Sequence, residues 1–72
     1  MPILLAPTDT DLMILHVHGT DKTIQHLREL GIVPAMHCRV LSSEPSGVIL
    51  RVGDSRLALD INLAKAISVV VA

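Results

Sequence analysis

Hydrophobic and polar positions change their spacing several times along the chain, and each change predicts an element. "DLMILHVH", residues 11–18, is rich in strand formers. Alternation there sets Met13, Leu15 and Val17 on one face and Leu12, Ile14, His16 and His18 on the other. Gly19 breaks that strand and Thr20 stands where a helix N-cap belongs. "DKTIQHLREL" then carries Ile24, Leu27 and Leu30 at helical spacing, before Gly31 supplies the left-handed position that ends a helix. "GIVP" turns the chain, and "MHCRVLSS" alternates as a second strand in which Met36, Cys38 and Val40 share a face. "EPSG" has the composition of a turn. "VILRV" and "RLALD" are two strands joined through "GDS", a glycine-containing hairpin loop. Val48, Leu50 and Val52 then face Leu57 and Leu59 as core positions. "INLAKA" predicts a short helical turn with Asn62 at its cap, and "ISVVV" a final strand. Pro2 and Pro7, followed by "TDTD", make residues 1–10 an extended, non-helical lead-in to a domain that starts near Asp11.

The expected fold is therefore mainly β: a small five-stranded antiparallel barrel with one α-helix between strands one and two. Seventy-two residues predict a single domain, 1–72, whose hydrophobic core is marginal at this size without metal, disulfides or oligomerisation. Half the residues are hydrophobic, yet Phe, Tyr and Trp are all absent, so the core must be aliphatic. Without aromatic rings the chain cannot stack nucleic-acid bases or line a groove for Pro-rich peptides. Six basic and seven acidic side chains, with no long run of either sign, offer little for neutralising phosphates, and nucleic acid is not an expected partner. The single cysteine cannot form an internal disulfide and fits a reducing cytosol. The only apolar run near the start, Ile3 to Ala6, is far short of a signal core or a spanning helix, so a cytoplasmic protein without direct membrane insertion is expected.

From Leu27 onward, "LRELGIVPAMHCRVL", "GVILRVGDSRLALD" and "LAKAISV" resemble the FeoA family, small cytosolic accessory proteins of bacterial ferrous iron transport. The shared pattern is a helix ending in Leu-Gly, an apolar residue and a proline shortly after, a strand with two inward apolar positions, and a V-x-G hairpin. After the hairpin come Leu57, Ala58 and Leu59, then Ala64 and the I-x-V of residues 67–69. The resemblance implies an SH3-like five-stranded barrel. It also implies action through the membrane ferrous iron transporter that carries a cytosolic GTPase domain. Three features depart from the family pattern. Ala35 replaces the glycine usual after the proline, Asp60 replaces a basic residue after the L-A-L strand, and the lead-in with two prolines differs. A side chain at position 35 would be strained if the turn needs a positive φ angle.

Cys38 falls where the family carries an inward apolar residue, and its neighbour His37 must point the other way, so the two do not chelate one ion from a regular strand. His16 and His18 are the better candidates for a metal such as Fe²⁺ or Zn²⁺. An i, i+2 pair on a strand projects to one face with side chains about 6 to 7 Å apart. A firm site needs three or four ligands, which His26, His37, Asp21 or Asp60 would have to complete; otherwise the pair is simply two solvent-facing histidines at a strand end, or holds an adventitious or dimer-bridging ion. The helix face of Ile24, Leu27, Leu30 and Ile32 covers the barrel by default. High hydrophobicity in so short a chain makes the helix end around Leu27, Leu30 and Ile32, rimmed by Arg28, the first expected place for a partner. No catalytic constellation or phosphate-binding glycine loop is present, and no cofactor is required. The expected function is a non-enzymatic accessory module that binds the transporter's cytosolic GTPase-bearing part. The alternatives are a small metal-binding or metal-sensing protein using His16 and His18, and self-association through the "ISVVVA" edge.

Overall fold

A computed structural model describes all 72 residues. Five strands form one antiparallel sheet: β1 (Leu12–Val17), β2 (His37–Glu44), β3 (Gly47–Val52), β4 (Ser55–Asp60) and β5 (Ile67–Val71), in the order β4-β3-β2-β1-β5. Helix α1 (Asp21–Glu29) lies between β1 and β2, and a second helix, α2 (Ile61–Ala64), joins the two edge strands β4 and β5. All five strands send side chains into one aliphatic core, and no polar or charged side chain is buried there.

Local chemistry sets the ends of these elements. The Thr20 hydroxyl accepts a hydrogen bond from the Thr23 amide at 3.2 Å, and Gly31 takes a φ of +87° after the last turn of α1. The stripe facing inward buries Leu27 completely, with Ile32 nearly so. The second helix is capped by Asp60, whose carboxylate accepts from the Leu63 amide at 2.9 Å, and not by Asn62. Asp60 is one of the departures from the family pattern, and the cap is its structural use.

Two further differences from the expected elements come from the backbone. Residues 1–10 contain a single 3-10 turn, Ile3–Leu5, and Ile3 is buried in the core. Met1 and Val69 exchange backbone hydrogen bonds, and Asp9 donates to the Val40 carbonyl, so the lead-in packs onto the sheet instead of preceding it. The strand alternation is also interrupted twice. The β1–β5 register shifts between Ile14 and His16, and the β2–β3 register between Val40 and Ser42. Leu15 and Leu41 are the extra residues of these bulges, and each inverts the alternation that follows it. Leu12 and Ile14 therefore point inward before the first bulge and Val17 packs on the core after it, while Leu15 is left exposed.

Both central hairpins have two-residue turns. Val52 pairs with Ser55 around Gly53 and Asp54, with Gly53 at φ +58°. Glu44 pairs with Gly47 around Pro45 and Ser46. A Cβ on Gly47 would run into the Leu59 carbonyl oxygen, so glycine is needed for the close approach of β3 to β4.

Candidate functional site

The His37–Cys38 pair is split by the strand. Cys38 is buried, and burial pushes its thiol up to about 11, with the negative charge of Asp11 adding to the shift. His37 faces solvent, its Nδ1 lying 3.3 Å from an Asp11 carboxylate oxygen. A neutral, enclosed thiol beside an outward imidazole makes no metal site.

His16 and His18 do come together. The bulge at Leu15 leaves both exposed on the outer side of β1, their ring centroids 4.3 Å apart in an edge-to-face arrangement. His18 Nε2 is also 3.1 Å from the Ser68 hydroxyl on β5. No third His, Cys, Asp or Glu stands close enough to complete a set of three ligands. One chain thus offers two imidazoles, which is half of a closed zinc site.

The residues expected to meet a partner at the helix end are placed differently. Leu27 and Ile32 lie inside the core, and Leu30 packs against it, partly buried. Arg28 is exposed and donates to Gln25 on its own helix at 3.3 Å. The stripe on α1 seals the barrel, and of the four residues only Arg28 is turned fully to solvent.

Sequence reasoning passed over a second group. On the outer face of the sheet Arg39 stands opposite Arg51, and Arg51 stands opposite Arg56. All three are exposed, and they make up half of the chain's six basic side chains. The signal was present in the hairpin: a two-residue turn at Gly53 and Asp54 fixes the pairing of residues 51 and 56 by counting alone.

A curled antiparallel sheet closed over by helices, with a wholly apolar interior, is the architecture of small SH3-like β domains. The FeoA domain model matches residues 1–71, and the chain belongs to the FeoA family. A crystal structure of an iron uptake regulatory protein, FeoA, is 27% identical with a TM-score of 0.87, over 96% of this chain and 93% of that one. The FeoA of Stenotrophomonas maltophilia, solved in complex with zinc, is 31% identical with a TM-score of 0.78, over 96% of this chain and 88% of that one. It is described as an SH3 domain protein that could act as a ferrous iron transport activating factor. T. acidophilum IdeR shares the fold at a TM-score of 0.89 and 22% identity, this chain matching 34% of its length. No curated protein sequence matches the chain significantly. No helix is long and apolar enough to cross a membrane.

Proposed function

We propose that this protein is a non-enzymatic accessory module of ferrous iron transport, acting in the cytoplasm by binding the cytosolic GTPase-bearing part of the membrane Fe²⁺ transporter and modulating it. The observation that carries this reading is the FeoA match along nearly the whole chain, together with a 31% identical relative described in terms of transport activation. Purified protein and the purified cytosolic domain of the transporter should form a complex detectable by pull-down and by calorimetry. Folded protein that fails to bind the domain in both assays would refute the reading.

A second reading is favoured by the contact between His16 and His18 and by the zinc complex of the Stenotrophomonas maltophilia protein. In it the pair binds Fe²⁺ or Zn²⁺, with the missing ligands supplied by a second copy. Anaerobic metal titration should then give saturable binding coupled to dimerisation, lost in His16→Ala and His18→Ala. A linear, non-saturating titration at micromolar metal would end it.

A further inference from the structure

The outer face of β2, β3 and β4 sorts its side chains by charge. At one end Arg39, Arg51 and Arg56 are direct cross-strand neighbours. Strands lie about 4.8 Å apart, so the three stems leave the sheet in a row about 10 Å long. Two residues along β3, Ile49 stands opposite Ala58 and is 37% exposed. Two residues further, Gly47 lies between Glu44 and Asp60, so the face ends in two carboxylates. Three positive charges, a middle row of Ser42, Ile49 and Ala58, and two carboxylates, that of Asp60 engaged in the α2 cap, therefore follow one another along the strands.

Like charges placed directly opposite one another weaken a sheet. No carboxylate pairs directly with this row, although Asp54 borders the same concavity as Arg51 and Arg56, and Asp11 the same one as Arg39 and Arg51. The one carboxylate contact of a basic side chain joins His37 and Asp11, and the one protein partner of the three guanidinium groups is the Asp9 backbone carbonyl, 3.2 Å from Arg39 Nη1. Guanidinium groups with no carboxylate partner of their own are suited to bidentate capture of carboxylates.

We propose that this face is the docking surface for the protein partner, with the arginine row receiving a row of carboxylates and Ile49 contacting an apolar side chain beside them. The proposal rests on the transporter reading given above and names the surface through which that binding occurs. One face of an acidic helix, with carboxylates at three- and four-residue intervals, presents them about 5 to 6 Å apart, close to the strand spacing. Nucleic acid or an anionic lipid surface is a poorer fit, because Glu44 and Asp60 would repel it and no aromatic ring is available for stacking. A free phosphate needs donors that converge, and these three are spread along a line. A second copy turned through 180° would match the charges. The patch of about 200 Å² it would bury, from three strands about 14 Å long, is well below the roughly 800 Å² per partner of a stable interface. A larger partner can reach past its rim.

Calorimetric titration of the full-length protein with the transporter's purified cytosolic domain tests this, over a series of NaCl concentrations and with inorganic phosphate as competitor. Arg51→Gln should weaken binding about tenfold, and the Arg39→Gln, Arg51→Gln, Arg56→Gln triple variant about a hundredfold. A Lys22→Gln, Lys65→Gln control, which removes two charges elsewhere, should stay within about threefold. Wild-type affinity should fall with salt, and the triple variant's salt dependence should flatten. The thermal midpoint of Arg51→Gln should equal or exceed the wild type's, which separates a binding role from a structural one. Absence of wild-type binding would refute the transporter reading and this proposal with it. Wild-type binding that the triple variant retains would refute the proposal alone. Displacement of the domain by millimolar phosphate would assign the row to a free anion, and loss of a dimer in the triple variant with transporter binding intact would assign it to a second copy; either overturns the proposal.

Discussion

Ala35 adopts a φ of +75°, a conformation that costs an L-residue about 1–2 kcal/mol and glycine nothing. The turn is held from both sides, since Ala35 donates to the Ile14 carbonyl at 2.8 Å and Ile14 donates to that of Met36 at 2.8 Å. Ala35→Gly relieves the strain but gives the unfolded chain more freedom, so a net gain of about 0.5–1 kcal/mol is expected, read as a higher urea midpoint. Cys38 supplies a pH test. Its thiol stays protonated in the folded state above the ordinary value of 9.0, up to about 11, because burial disfavours the thiolate. The stabilisation is therefore fully present below pH 9.0 and is lost as pH rises through about 11. The urea midpoint of the wild type should fall more steeply over that window than that of Cys38→Val, and equal slopes would contradict the assignment. Both positions were legible in the sequence, one through the family's glycine and the other through strand alternation. Asp60 was not, because a carboxylate that caps a four-residue helix looks like any charged residue until the helix start is known.

At the scale of elements, α1 is the clearest case of pattern becoming structure. Its cap, its stripe and its closing glycine were all readable, but whether the stripe faced core or partner depended on packing that no single helix reveals. Leu27→Ala should cost about 2–5 kcal/mol by leaving a cavity under the helix, enough to unfold much of a domain this small at room temperature. The β2–β3 and β3–β4 hairpins were also readable, since their turns fix their registers. Gly47→Ala should destabilise by about 2 kcal/mol or more, since its Cβ would meet the β4 backbone at Leu59 and Asp60. Thermal unfolding checks both substitutions. The bulges at Leu15 and Leu41 escaped the sequence reading for a physical reason. Each adds one residue without changing composition, and only pairing with the neighbouring strand shows where the alternation reverses.

For the whole molecule, a net charge of −1 conceals a segregated surface. The aliphatic core leaves no polar group inside, so polar recognition is confined to faces such as the outer side of β2–β4 and the histidine pair on β1. A face with charge at both ends and an exposed isoleucine between them suits contact with another protein, consistent with an accessory role in ferrous iron transport. On the proposed reading, this protein docks that face on the transporter's cytosolic domain. The most direct test is an NMR titration of isotope-labelled protein with that domain, following backbone amide shifts. Perturbations should concentrate at Arg39, Ile49, Arg51, Arg56 and Ala58, and at Asp9, whose carbonyl accepts from Arg39, with His16 and His18 unmoved. Shifts confined to α1 or to the histidine pair, or none at saturating domain, would contradict that reading.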